Sequence, residues 1–210
     1  MKNSIMILVI AVMAITLLSP SGYAAKNTKG LYVSAAAKFK ANNFKGAIED
    51  YNRAIDLNPN DSYAYLHRGI VKGTSGETSG AIADYTRAIE LDPKNSLAYS
   101  NRGIEIAQKG DYSGAIEDYT KAIQLNPRYS LAYNNRGNAK AASKDYAGAI
   151  ADYTRAIELN RNYGLAYSNR GTARGAMGDK DGALADYKMA AHLNEPGSKE
   201  WLSSRGYSLE

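Results

Sequence analysis

The chain has no cysteine and only two histidines, His67 and His192, in 210 residues. Without cysteine there is no disulfide framework, no thiolate metal site and no thiol nucleophile. Two histidines so far apart in sequence also exclude most histidine-based catalytic and metal-binding arrangements. The excess of one charge sign is small, a formal +5. With both signs interspersed, this suits ordinary solubility better than a nucleic-acid footprint. Long apolar runs are scarce as well. The one that stands out, residues 5–18, is about 14 residues long and broken only by Thr16, short of the roughly 20 that a membrane-spanning helix needs.

That run has the surroundings of a secretory leader. Lys2 supplies a positive start, Ser19, Pro20, Ser21 and Gly22 break the helix, and Gly22-Tyr23-Ala24 is a small-x-small cleavage pattern followed by Ala25. The layout predicts a signal peptide over residues 1–25, cleaved after Ala24 or Ala25, and a periplasmic or secreted mature protein with no permanent membrane span. The junction has no cysteine to take a lipid. An uncleaved N-terminal anchor is the alternative. Removal of Lys2 with the leader leaves a charge of about +4.

The rest of the chain repeats itself. Residues 114–126 read GAIEDYTKAIQLN, and close copies occupy 46–58, 80–92, 148–160 and, more loosely, 182–194. Each copy starts 34 residues after the one before. A fixed period in this range is the mark of an array in which one supersecondary unit stacks on the next to bury a face it cannot bury alone. In the third unit, residues 96–109 and 113–125 read as two amphipathic helices, with Gly110 and Asp111 as stop and start signals between them. Ala115, Ile116, Tyr119, Ala122 and Ile123 fall on one buried stripe of the second helix. Pro59, Pro93 and Pro127 forbid continuation beyond the second helix of the first three units. The fourth has Arg161 there and depends on an Asn160–Asn162 turn.

These residues resemble the tetratricopeptide repeat over about residues 28–194. Helix A carries an aromatic at Tyr65, Tyr99, Tyr133 and Tyr167, followed by a glycine at Gly69, Gly103, Gly137 and Gly171. Helix B carries alanine at Ala47, Ala81, Ala115, Ala149 and Ala183, then Tyr51, Tyr85, Tyr119, Tyr153 and Tyr187, then Ala54, Ala88, Ala122, Ala156 and Ala190. Small residues are needed where helices cross closely, with a large one to fill the space beside them. The resemblance implies an all-α, right-handed solenoid of five tandem helix-turn-helix units, over about 28–61, 62–95, 96–129, 130–163 and 164–197, with a capping helix and tail over 198–210. The first unit departs from the pattern with Leu31 and Ala35. Residues 201–206 echo the opening of a sixth unit with a one-residue slip, which makes Trp201 a core aromatic of the cap; a ligand-stacking role is the alternative.

An Asp precedes each helix B tyrosine (Asp50, Asp84, Asp118, Asp152, Asp186), and an Arg precedes each helix A glycine (Arg68, Arg102, Arg136, Arg170), with Arg205 continuing the series in the cap. We expect each Asp to pair with the Arg of the following unit; a ladder of ligand-binding charges is the alternative. The family implies that partners lie in a groove lined by helix A. Here that lining comprises Lys29, Tyr32, Ala36 and Phe39, then Tyr63, Leu66, Ile70 and Thr74, then Leu97, Ser100, Asn101, Ile104 and Gln108, then Leu131, Asn134, Asn135, Asn138 and Ala142, then Leu165, Ser168, Asn169, Thr172 and Ala176. Apart from Lys29 it is neutral, and it lacks the lysines of a basic clamp. Asn101, Asn135 and Asn169 suit hydrogen bonding to a peptide backbone.

Other chemistry is weakly supported. Residues 73–80, GTSGETSG, lack the Lys-Ser/Thr of a phosphate loop and fall at an inter-helix turn. Most of the seventeen tyrosines sit at repeat core positions, which argues against nucleic-acid stacking. No catalytic or metal residues, cofactor or nucleic-acid partner are expected. The reading is a non-enzymatic interaction module for a protein or peptide, with a self-associating envelope scaffold (a homo-oligomer) or a peptidoglycan or polysaccharide binder as alternatives.

Overall fold

A computed structural model describes residues 20–207, and side chains from residue 28 onward. The apolar run of the expected leader lies outside the described residues. Eleven α-helices make up the described residues: α1 (Pro20–Lys40), α2 (Phe44–Leu57), α3 (Ser62–Thr74), α4 (Thr78–Leu91), α5 (Ser96–Gln108), α6 (Tyr112–Leu125), α7 (Ser130–Ala142), α8 (Tyr146–Leu159), α9 (Gly164–Ala176), α10 (Lys180–His192) and α11 (Pro196–Ser204). Ten of them form five helix A–helix B hairpins in tandem, so the fold is an all-α repeat. Helix α1 starts at Pro20, because proline is tolerated in a first turn, where its missing N–H has no partner to lose; the expected break after the apolar run falls outside the described residues.

The chain divides after Asp92 into two compact units. In the first, α1–α4 pack in chain order; in the second, α5–α11 do the same, and α5 also touches α7 as α7 touches α9.

Each hairpin is closed by the same local chemistry. The residue two after the last helix A turn takes a left-handed backbone at Asn42, Gly76, Gly110, Lys144 and Gly178, with φ between +57° and +87°. These positions keep the 34-residue spacing, and this is the conformation that ends a helix by turning the chain back on its own carbonyls. The next residue then caps helix B: Asp111 and Asp145 each accept from a glycine N–H three residues on at 2.9 Å. At the far end of helix B the Asn160 side chain accepts from the Asn162 N–H at 3.1 Å, as Asn126 does from Arg128 at 3.2 Å. The asparagine turn therefore works with or without proline after it.

Between the two helices of a hairpin the pattern of small and large residues has a steric cause. A β-carbon added at Gly69, Gly103 or Gly137 would lie 2.7, 2.9 or 2.6 Å from the ring of Tyr85, Tyr119 or Tyr153. The rings are 2–3% exposed and the helix B alanines at most 4%. In the first hairpin Ala35 holds the glycine position and Tyr51 still packs beside it.

The last helix is a cap. Glu195 accepts from the Gly197 and Ser198 N–H groups at 3.2 and 2.6 Å, and Leu202 is fully buried against Ala183, Tyr187 and Ala191. Trp201 stacks on Tyr187 with ring centroids 4.0 Å apart, so it packs on the last core cluster. Gly206 does not play the part of a helix A glycine. It sits at φ +73°, where its N–H and that of Tyr207 bond back to Ser203 and Leu202 and end the helix.

Replacing Gly137 by Ala should lower the urea-unfolding free energy by about 1–3 kcal/mol, because the buried Tyr153 ring must shift, although alanine is the better helix former. Lys144→Gly, at a left-handed turn, should instead raise it by about 0.5–1 kcal/mol.

Candidate binding groove

The repeated charges form a framework inside each hairpin. Arg68 donates from Nε and Nη2 to both oxygens of Asp84 at 2.8 and 2.6 Å, and Arg102–Asp118, Arg136–Asp152 and Arg170–Asp186 repeat this fork. The expected pairing with the following unit is thus wrong, and the steric pattern explains why. Each Asp precedes a tyrosine that packs on the glycine of its own hairpin, 16 residues back, so it meets the Arg that precedes that glycine. Asp50 pairs with Lys38 at 2.6 Å. Arg205, instead of reaching Asp186, lies over the Trp201 ring at 4.3 Å.

The remaining guanidinium nitrogen reaches the previous hairpin. Arg136 and Arg170 donate from Nη1 to Thr120 and Thr154 at 3.1 Å, and Arg68 donates to Asn52 at 2.7 Å. Register between neighbours is therefore carried by neutral oxygens. Each Arg also lies 5.4–5.7 Å over the helix A tyrosine three residues earlier. Asp84, Asp152 and Asp186 receive a second cation from Lys72, Lys140 and Arg174 at 2.8 Å. In the third hairpin that position is Ile106, and Asp118 pairs with Arg102 alone among the described residues. Its hydrogen bonds hold the Arg102 guanidinium above its ordinary pKa.

The expected groove residues fall into three groups. Tyr63, Leu97, Leu131 and Leu165 are large apolar side chains left 38–47% exposed, and Asn138 is exposed beside them. Tyr32, Phe39, Ile70, Asn101, Ile104, Asn135, Ser168 and Asn169 are partly exposed. Leu66, Ser100 and Asn134 are buried, at 4%, 0% and 1% exposure, and line no surface. In the second unit the next helix A in the chain covers this position, since α7 touches α5 and α9 touches α7. Asn169 on α9 makes the cover explicit by donating to Asn134 and Asn138 Oδ1, both at 3.0 Å. Ser168, followed only by the short cap, stays partly open. Ser100 Oγ has no hydrogen-bond partner among the described residues.

In the first unit the groove side is an aromatic cluster. Tyr32 and Tyr63 rings lie 4.8 Å apart, Tyr63 and His67 4.0 Å, and the Tyr32 hydroxyl donates to Asp61. Burial, then that hydrogen bond, pushes the Tyr32 phenol well above its usual pKa, and burial pulls His67 below its own. A cavity of about 510 Å³ lies apart from these residues, against Gly30, Leu31, Arg53, Asp56 and Leu57.

A cavity of about 450 Å³ opens within the second unit. Helix α5 contributes Ile104, Ala107 and Gln108, α6 contributes Tyr112 and Tyr119, and α7 contributes Leu131, Asn135, Asn138 and Ala139. Five of the expected residues, Ile104, Gln108, Leu131, Asn135 and Asn138, therefore converge on one concavity, and none of its lining residues is charged. Ala107, Tyr112, Tyr119 and Ala139 were not foreseen as lining. Tyr119 reads as core from its repeat position, and the signal to the contrary was that the helix A residue one after the glycine, Asn138 and Thr172 in later hairpins, is Ile104 here. No group of three or more His, Asp or Glu side chains among the described residues converges to hold a metal.

Tandem helical hairpins, a helix A face that keeps apolar side chains exposed, and a neutral concavity define an all-α helical-repeat protein with a candidate binding face. The profile described as "TPR repeat" matches residues 36–76, 74–104 and 105–144, and that described as "Tetratricopeptide repeat" matches 130–163; the chain belongs to the tetratricopeptide repeat family. Proteins of this family generally mediate protein–protein interactions. Among solved structures, the crystal structure of MamA is similar at 25% identity and a TM-score of 0.72, covering 83% of this chain and 96% of that one. PilF of Pseudomonas aeruginosa is similar at 20% identity and a TM-score of 0.74, over 81% and 78%. YrrB, described as a TPR protein with an unusual peptide-binding site, is similar at 18% and 0.65, over 77% and 84%. No curated protein matches the chain.

Arg102→Met should cost about 3–5 kcal/mol in denaturant unfolding because it leaves Asp118 buried without a cation. Arg136→Met leaves Lys140 on Asp152 and should cost markedly less; equal losses would refute this account of the charges.

Proposed function

We propose that the protein is a non-enzymatic interaction module that binds an extended peptide or a partner helix along the helix A face. The observation that carries this reading is the row of exposed apolar side chains, Leu97, Leu131 and Leu165, beside an uncharged cavity edged by amide side chains. Such a surface can bury partner side chains and leave hydrogen-bonding groups for the partner's backbone. The similarity to YrrB, a TPR protein described with a peptide-binding site, supports the same reading. The family's general role argues against catalysis.

We also propose export by the leader, with cleavage after Ala24 or Ala25, and action in a periplasm or outside the cell. Among the described residues no helix is long and apolar enough to cross a membrane. N-terminal sequencing of the protein from envelope or culture fractions should read from Ala25 or Lys26; an intact Met1 in a membrane fraction would favour the anchored form. Self-association is a second reading, favoured by Val33 on α1, which is 66% exposed.

The test of the groove is affinity capture from an envelope extract with two baits, the parent and a Leu97→Glu, Leu131→Glu, Leu165→Glu variant whose helical circular dichroism is first checked against the parent. A partner held by the parent and lost by the folded variant supports the groove, whereas equal capture moves binding to another surface. Leu66→Glu is unsuitable as a bait variant, because it places a charge at a buried position and should unfold the protein.

A further inference from the structure

The helix B tyrosines differ in how their hydroxyls are satisfied. Tyr153 donates to Asn138 Oδ1 at 2.8 Å, and Tyr187 shares a hydrogen bond with Thr172 Oγ1 at 2.9 Å. Both partners sit on helix A directly after the hairpin's glycine. In the third hairpin that residue is Ile104, which offers nothing. Tyr119 is 2% exposed, has no hydrogen-bond partner for its hydroxyl among the described residues, and lines the cavity between α5, α6 and α7. Its hydroxyl oxygen is not sealed in the core but opens on the cavity, so it stands ready to bond a ligand there.

The other polar groups there are biased the same way. Asn138 Oδ1 already accepts from Tyr153 and Asn169, and Asn135 Oδ1 accepts from Asn134 at 3.4 Å. What remains for a ligand on these residues is donors: the Tyr119 O–H and the two amide NH₂ groups. Against these three residues a ligand is best matched by acceptors, while the exposed Gln108 and Tyr112 can donate or accept. A carboxylate is the wrong acceptor, because no lining residue is cationic, and burial, then the negative charges of Asp118 and Glu105, hold the Tyr119 phenol above its usual pKa. A neutral carbonyl is the right one, and the walls beside it, Ile104, Ala107 and Leu131, are apolar.

We propose that this cavity seats an uncharged apolar side chain of an extended peptide, whose neighbouring backbone carbonyls accept hydrogen bonds from the Tyr119 hydroxyl and the Asn135 and Asn138 amides. This rests on the groove reading and names the residue class the groove selects. The probe is an array of end-capped dodecapeptides of varied sequence, with the strongest binder then titrated by fluorescence polarisation against the parent and single variants.

The expected binders share an apolar residue whose replacement by Asp or Glu abolishes binding. Tyr119→Phe, which keeps the ring on Gly103, should weaken the strongest binder about 5- to 10-fold without lowering the thermal midpoint. Ile104→Asn supplies the internal partner that Tyr153 has and should weaken it comparably. Tyr187→Phe removes a hydrogen bond closed within the protein and away from the cavity, so it should lower the thermal midpoint and leave affinity close to the parent's. Full binding by Tyr119→Phe and Ile104→Asn, with loss by Leu131→Glu, overturns this inference and leaves the groove reading standing. An acidic consensus overturns it too. No peptide bound by the parent, or full binding by Leu131→Glu, overturns both.

Discussion

Where the two helices cross in the second, third and fourth hairpins, a tyrosine ring lies so close to a glycine that no β-carbon fits between them, and much else in the structure follows from that contact. It sets the distance between helix A and helix B, because a ring is the largest object between them and a hydrogen atom the smallest. It brings the Asp before the tyrosine to the Arg before the glycine, which closes a two-pronged hydrogen bond with a buried carboxylate. It also carries the phenol across helix A toward the groove side, next to the residue that follows the glycine. One steric constraint thus places a structural ion pair and a functional polar group.

The frame is common to the hairpins, and single positions within it decide what each offers. At the turn, glycine, asparagine and lysine all adopt the left-handed backbone, so a non-glycine costs stability without changing the path of the chain. In the last turn of helix A a second cation joins the buried Asp in the second, fourth and fifth hairpins, whereas Ile106 replaces it in the third. After the glycine, Asn138 and Thr172 satisfy a tyrosine hydroxyl and Ile104 does not. The third hairpin is therefore the one with both a singly paired Asp and an open phenol, and it contributes five residues to the groove cavity in the second unit.

The ends of the array obey the same physics differently. The first hairpin has Ala35 at the glycine position and Lys38 in place of the arginine fork, and its groove side is filled by Tyr32, Tyr63 and His67 packed on one another. At the other end α11 covers α10 with Leu202 and Trp201, which shields apolar surface that inner hairpins bury against a further repeat.

Period and hairpin were legible because they depend on local chemistry that recurs in phase: helix stop and start residues, the alanine stripe, and the glycine–tyrosine pair. The sequence by itself therefore determined the all-α repeat, the asparagine turn that ends α8 without proline, and most of the helix limits. It did not determine contacts between residues equally spaced along the array. Asp84 stands 16 residues from one arginine and 18 from another, and only the packed hairpin decided for the first, because the ring beside Asp84 rests on its own glycine. Nor did helix A register alone separate the exposed Leu131 from the buried Asn134, since a later helix A covers one and not the other. The same holds for Tyr119, which shares its repeat position with satisfied core tyrosines. What its hydroxyl meets depends on a residue from another helix, and three-dimensional packing alone brought Ile104 there.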